Sequence, residues 1–389
     1  MKRLPIALAS LAACVVLVCS LCACSQSSSS KASEDTSASY ASSSMVSYKG
    51  TLYHANFGYE PTGTAEIDGT TDLKLETSNF LIYNDTVYYT SNPNGTSGDY
   101  PVELHSCGLD GSNDKTIAKD AYPAGKFYVV SDHLVYQHMD AIEYDDTPSA
   151  ATDDSDDSSY SEKDDIAATN ESIYWQSLDL SDEKAKPAAL NSKKTVQVVA
   201  ATADALYYAK TDATAALGTK LFKAGIDLSD ETAVYKGQFL VDDCAVDSEG
   251  NLIVVTSVTT DSSQDAVTFD KDGKQLAAFD LGVADDDTDS SFTASACGLY
   301  VTNAKDATIT SFDVATGDKT EHKIAGDPEY YIAVQYADAD QAIYTTGIDE
   351  EEVDKDAEKS SEKTADNTAL YLQKWGDSKA TSCGTWFES

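Results

Sequence analysis

Six short apolar and aromatic runs recur along the chain, each following turn residues: Val87-Tyr88-Tyr89, Leu134-Val135-Tyr136, Leu206-Tyr207-Tyr208, Leu252-Ile253-Val254, Leu299-Tyr300-Val301 and Ile343-Tyr344. Four of the five intervals between them are 44 to 47 residues long, and the other is 72. A period in the forties with four short strands per unit marks a β-propeller, in which no unit can hide its apolar surface alone. A second run in most units ends in an Asp-bearing turn: Leu109-Asp110-Gly111, Leu178-Asp179, Ile226-Asp227, Phe269-Asp270 and Phe312-Asp313. These predict hairpins between third and fourth strands, because Asp can bond its own following backbone and Gly accepts positive φ. Blade strands covered on both faces should be continuously apolar, and Leu252-Ile253-Val254-Val255 and residues 196 to 201 are. Long helical periodicity is absent beyond the leader, so little helix is expected there.

Residues 76 to 389 divide into roughly six units of about 46 residues once extra lengths in the second and sixth units are set aside. The expected fold is therefore all-β, a six-bladed β-propeller with four-stranded antiparallel blades. Residues 46 to 75 contain a further strand candidate, Gly50-Thr51-Leu52-Tyr53-His54-Ala55, that would complete a blade or cap the ring. A seven-bladed ring is the alternative.

The N-terminus carries an address. Lys2 and Arg3 precede an apolar run over residues 6 to 21, short for a membrane span and suited to an export signal. It ends in Leu21-Cys22-Ala23-Cys24, which resembles the bacterial lipobox. That resemblance implies cleavage of residues 1 to 23 and diacylation of Cys24, placing the chain on the extracytoplasmic side of the cell membrane. Eleven of the residues from Ser25 to Met45 are Ser, so 24 to 45 reads as a tether of roughly 25 Å span. The propeller domain is then 46 to 389. The lipid must hold it, because anionic headgroups repel a chain of net charge −39. With 66 acidic against 27 basic residues, nucleic acid is excluded as a partner.

Val87-Tyr88-Tyr89-Thr90-Ser91, with Leu104 and Gly108-Leu109-Asp110-Gly111-Ser112, resembles the YWTD repeat of low-density lipoprotein receptor propellers and their bacterial lipoprotein relatives. Ile173-Tyr174-Trp175 is a weaker echo on a third strand. Ser91 stands where YWTD closes on Asp, so the inter-blade Asp network of that family is not implied here. Asp247-Ser248-Glu249-Gly250-Asn251-Leu252 resembles the turn of NHL-type propellers, so NHL- and TolB-like propellers belong to the same comparison.

Four cysteines lie beyond the leader: Cys107, Cys244, Cys297 and Cys383. Outside the cytoplasm an even number favours pairing. The unit assignment brings Cys107 near Cys383 if the ring closes and puts Cys244 and Cys297 in adjacent blades, which predicts those two disulfides; four buried thiols are the alternative.

Both long additions, residues 140 to 170 and 349 to 366, fall between second and third strands and share one face of a propeller. The first holds Asp153, Asp154, Asp156 and Asp157, and the second Glu350 and Glu351. They form a candidate face for cations or a basic partner, against the plainer reading of solvated, self-repelling loops. No EF-hand is complete: around Asp270 and Asp272, Thr268 holds the first position and Phe279 the twelfth, so any calcium binding is weak. GxSxG, HExxH, nucleotide-loop and paired CxxC motifs are missing past residue 23, and Ser360-Ser361-Glu362-Lys363 is a chance SxxK. His105, His133 and His138 lack zinc spacing and read as strand-edge or surface residues. Trp175, Trp375 and Trp386 read as blade packing before a sugar or peptide platform. The expectation is a monomeric, lipid-anchored, extracytoplasmic scaffold without cofactor or chemistry of its own, binding an envelope protein, peptide or glycan. A loop-built propeller hydrolase or lyase, or a purely structural envelope protein, are the rivals.

Overall fold

The computed structural model describes residues 41–56, 67, 69–77, 79–91, 101–123, 125–139, 173–182, 184–190, 196–211, 219–236, 240–258, 261–284, 289–325, 328–347 and 368–386. Every regular element among them is a strand. The signal, Cys24 and most of the tether lie outside these residues, as do both acidic insertions.

The strands form a ring of antiparallel sheets closed by one mixed sheet. Four sheets have four strands each in simple order: residues 196 to 236, 240 to 284, 290 to 323 and 329 to 386. The first two expected units are instead one eight-stranded sheet. The quartet Phe80–Tyr83, Thr86–Ser91, Val102–Gly108 and Lys115–Ala121 is joined to the next, Tyr128–Val130, His133–Met139, Ile173–Asp179 and Ala188–Ala189. The join is the pair Ala121↔His138, continued by Tyr122 N donating to Gln137 O at 2.8 Å. The antiparallel blades are thus five, not the expected six or the alternative seven, because the fourth strand of the first quartet reaches past its own blade. A three-stranded sheet precedes them: Met45–Tyr48, Thr51–Asn56 and Thr70–Glu76, the last two parallel. It contains the strand candidate around Leu52.

All six recurrent runs lie on the second strand of a four-strand run, and their leading residues are almost fully buried: Val87, Leu134, Leu206, Leu252 and Ile343 at 0% and Leu299 at 1% exposure. Such strands face a neighbouring sheet on each side, which is why apolar residues follow one another there without alternation. Hydrophobic clusters pass from each unit to the next around the ring. Tyr207 and Leu221 meet Cys244, Val254 and Phe269; Ile253 and Val255 meet Ala294, Leu299 and Phe312; Tyr300 and Ile309 meet Ile332 and Tyr344. The mixed sheet completes the circuit. Its Val46, Tyr48 and Leu73 pack on Phe80, Val87 and Tyr89, and its Met45, with Ile67 ahead of its third strand, packs on Ile343, Leu370 and Cys383.

Turns follow local chemistry. All five predicted Asp turns link third and fourth strands, and each carboxylate accepts from the backbone N–H two residues on: Ser112 to Asp110 at 3.0 Å, Ser181 to Asp179 at 2.9, Ser229 to Asp227 at 3.0, Asp272 to Asp270 at 3.0 and Ala315 to Asp313 at 2.9. The serine hydroxyl and backbone amide hold the carboxyls of Asp110, Asp179 and Asp227 below their ordinary range. Gly317 closes one such turn at φ 78°, where a Cβ would come within 2.6 Å of the Phe279 ring. The hairpins at Lys49-Gly50, Asn84-Asp85 and Ser131-Asp132 each place two consecutive residues at positive φ, the two-residue geometry that matches strand twist.

The buried tyrosines test the packing. Tyr344 donates to Gln373 Oε1 at 3.0 Å, whereas the buried hydroxyl of Tyr207 has no partner among the described residues. In urea unfolding, Tyr344→Phe is expected to lower stability by about 1 kcal/mol, and Tyr207→Phe to leave it unchanged or raise it slightly. Equal losses would contradict this account of the core.

Candidate functional site

The first strands of successive sheets lie against one another and form the inner edge of the ring. Bulges interrupt three of these strands, two of them at a polar residue. The pairing register jumps from Val198 to Ala200, from Val241 to Asp243 and from Val334 to Tyr336, leaving Val199, Asp242 and Gln335 without an opposite residue. Bulges of this kind bend a strand and re-aim its side chains, and they concentrate near functional surfaces.

A cavity of about 210 Å³ opens where three inner strands converge, walled by Lys126, Gln137, Trp175, Gln197, Asp242 and Asp243. Asp243 is its organising residue. One carboxylate oxygen accepts from Cys244 N at 2.8 Å and faces the Lys126 ammonium at 3.4 Å; the other accepts from Ala294 N at 2.9 Å on the next sheet. One side chain thereby ties together three units of the ring at the axis. A Cβ on Gly125, beside Lys126, would come within 2.9 Å of Gln137 Oε1 and 3.3 Å of Tyr122 O.

The chain enters the ring on this same side. Ser42 N donates to Phe127 O at 2.9 Å, Phe127 N to Ser42 Oγ at 2.9, and Ser43 exchanges two bonds with Phe80 at 2.9 Å each. Ser44 Oγ then donates to the bulged Gln335 at 2.7 Å. Residues 41 to 44 are thus laced across the starting ends of inner strands. The connections after Met139 and Gly347, where the acidic insertions begin, leave from that end of their sheets.

Two further polar clusters are mutually satisfied. His105, expected at a strand edge or surface, is largely buried: Nδ1 faces Asp114 at 3.2 Å and Nε2 faces Glu103 at 3.1 Å, while Tyr89 donates to Asp114 at 2.9 Å. Both ring nitrogens are engaged, so neither is positioned to move a proton for a third group. Lys119, at 3.2 Å, and His105 hold the Glu103 carboxyl below its ordinary range. His138 is also buried rather than superficial, with Nδ1 at 2.8 Å from Asp120 and its ring 4.5 Å from that of Tyr174. His133 is partly exposed against Ser131 O.

Cys107, Cys244 and Cys297 are not bridged, so neither expected disulfide, Cys107 with Cys383 or Cys244 with Cys297, is formed. Cys107 and Cys383 contact opposite faces of the mixed sheet, which stands between them. Cys244 packs back toward Tyr207, whereas Cys297 packs forward beside Ile332. Burial pushes the Cys107 thiol up to about 11 and raises those of Cys244 and Cys297, leaving them unreactive at neutral pH. Trp175 packs near Tyr128, and Trp375 donates to Asp338 O at 2.8 Å while stacking on His322, so both serve packing. The side chain of Trp386, like Cys24, Asp153, Asp154, Asp156, Asp157, Glu350 and Glu351, lies outside the described residues. Among the described residues no cluster of three His, Cys, Asp or Glu could hold a metal. Lys126, Asp243 and Gln335 were missed from sequence, although a polar residue inside an apolar run, as in Val241-Asp242-Asp243-Cys244, is a readable sign.

Removing the Asp243 carboxylate orphans two backbone amides and the Lys126 ammonium. Asp243→Ala is expected to lower stability by about 2 kcal/mol in urea unfolding, and Asp243→Asn by less. A pH effect follows from two other side chains. Burial lowers the pKa of His54 and of His322 from the usual 6.5, so the unfolded chain binds protons there before the folded one does. Their stabilisation is complete above pH 6.5 and is lost as pH falls from there toward the folded values. Thermal unfolding followed from neutral pH to about pH 5 should show a smaller loss in His54→Asn than in the unsubstituted chain.

No protein-family model and no curated protein matches the chain. Solved structures to which it is similar include a prolyl endopeptidase (13% identity, TM-score 0.44, 78% of this chain and 41% of that one). TolB from Acinetobacter baumannii is 10% identical, with TM-score 0.40 over 79% of this chain and 64% of that one. The β-propeller domain of the trilobed protease from Pyrococcus furiosus is 9% identical, with TM-score 0.39 over 69% and 72%. The chain spans less than half of the endopeptidase and just under two thirds of TolB.

Proposed function

We propose that the protein is a lipid-anchored, extracytoplasmic β-propeller that acts as a binding scaffold without chemistry of its own. Cys24 carries the diacylglycerol anchor, and the Ser-rich segment behind it is the tether. The observation that supports this reading is the lacing of Ala41–Ser44 over the inner strands. A tether that joins the ring there has roughly 25 Å of reach, and it leaves from the end of the sheets at which the acidic insertions begin. The insertion-bearing face is therefore held toward the bilayer. Its partner is a basic or cation-bearing envelope component close to the membrane surface, reached through Asp153, Asp154, Asp156, Asp157, Glu350 and Glu351. Any cation these loops take up is bound weakly, and the scaffold works as a monomer.

Expression in a bacterial host fed labelled palmitate tests the anchor. Cys24→Ala is expected to lose both label and membrane fractionation, while Cys22→Ala keeps them; label retained in Cys24→Ala would overturn the assignment. Pull-down from detergent-solubilised envelope, with and without residues 140 to 170, tests the face. Equal recovery of every partner would defeat it.

A further inference from the structure

The mixed sheet has two neighbours in the ring, and it is bound to them unequally. Toward the first quartet the chain runs on from Glu76 to Phe80 through residues 77 to 79 alone. Ser43 and Phe80 exchange two backbone hydrogen bonds at 2.9 Å each. The Tyr48 hydroxyl donates to Asp85 Oδ1 at 3.0 Å and accepts from Asp85 N at 2.9 Å, and the Lys49 ammonium lies 2.7 Å from the same carboxylate oxygen. These bonds border the apolar cluster of Val46, Tyr48 and Leu73 on Phe80, Val87 and Tyr89.

Toward the last sheet there is no such continuity. Ser44 and Gln335, which meet across this seam, are 291 positions apart in the chain. Elsewhere each sheet runs into the next, as Lys236 does into Leu240 and Lys323 into Glu329. The seam is an apolar contact, Met45 and Ile67 against Ile343, Leu370 and Cys383, with the Ser44 hydroxyl donating to Gln335 Oε1 at 2.7 Å. Gln335 is the bulged residue of its strand, and its amide donates to the Thr345 hydroxyl at 3.3 Å. Beside this contact the two sheets part, and a cleft of about 750 Å³ separates Gly50 and Thr70 from Leu372 and Lys374.

We infer that this seam is where the ring opens: the mixed sheet stays with the first quartet and comes away from the last sheet, and the bond from Ser44 to Gln335 is its clasp. Opening there releases the clasp and uncovers a small apolar cluster, and no short connection limits the movement. Separation on the other side of the mixed sheet would break two backbone hydrogen bonds and the Asp85 contacts within the reach of residues 77 to 79. Proteins open first where the fewest interactions must be lost, well below the free energy of global unfolding. Ser44 ends the segment laced across the inner strands, so a partner that displaces Ala41–Ser44 releases the clasp and shifts the ring toward its open state. This device depends neither on the lipid at Cys24 nor on the acidic loops.

The chain's own methionines test it. Besides Met1 there are two, Met45 in the seam at 4% exposure and Met139 in the eight-stranded sheet at 0%, so the closed ring covers both. A covered thioether reacts with peroxide only while it is uncovered. With the full chain in dilute hydrogen peroxide and native buffer, peptide mass spectrometry is expected to show Met45 oxidised at least about tenfold faster than Met139. Ser44→Ala should speed Met45 by about fivefold, the effect of losing one ordinary hydrogen bond, and leave Met139 unchanged. Asp85→Asn, on the other side of the mixed sheet, should not speed Met45. Equal rates at the two methionines, or acceleration of Met45 by Asp85→Asn and not by Ser44→Ala, would overturn the proposal. Met139 reports global unfolding in the same sample, so a variant that merely loses its fold speeds both residues and is told apart from one that opens the seam.

Discussion

A second strand whose side chains point into two neighbours cannot be satisfied at the end of a row. If the units lay in an open array, the first would leave Val87 and Tyr89 uncovered and the last would leave Ile343 and Leu370 uncovered. Full burial of one such side chain stabilises by about 1.5–3 kcal/mol, so four of them together rival the whole net stability of an ordinary domain. Closure is therefore a condition of folding for this chain. The segment that supplies it comes from before the first quartet: Met45, Val46, Tyr48, Ile67 and Leu73 cover both ends at once.

Closure by a short sheet has consequences at the two sides of the join. On the side of the first quartet, the outer residues Glu103, His105, Asp114 and Thr116 form a polar network where a further strand would have required apolar contacts. On the side of the last sheet a cleft remains, lined by Gly50 and Thr70 on one side and Leu372 and Lys374 on the other. The axis is organised differently: there the units meet edge to edge, and Asp243 replaces apolar contact with bonds to its own strand and into two other units.

The period of the tyrosine- and valine-rich runs was legible because burial on both faces imposes it residue by residue, and the Asp turns because their bonds span only two residues. The blade count was not. Whether Lys115–Ala121 stops at its own blade or pairs onward with His138 is decided by where Ala121 ends in space, which no local pattern records. The disulfide expectation failed for a related reason. Adjacent units share an interface, but a cysteine can face either of two interfaces: Cys244 faces the sheet before it, Cys297 the sheet after its own, and the mixed sheet separates Cys107 from Cys383. His138 and His105 looked superficial because single histidines in strands give no sign of the carboxylate waiting across the sheet, Asp120 in one case and Asp114 with Glu103 in the other.

The acidic residues fall into two groups with different physical roles. Asp110, Asp179, Asp227, Asp270 and Asp313 each close their own hairpin, so their charge is a by-product of turn chemistry and sits at the hairpin end of the sheets. A ring edged in this way repels anions over most of that end. Lysines that balance a neighbouring carboxylate do little to change that field, since each pair is neutral at a distance.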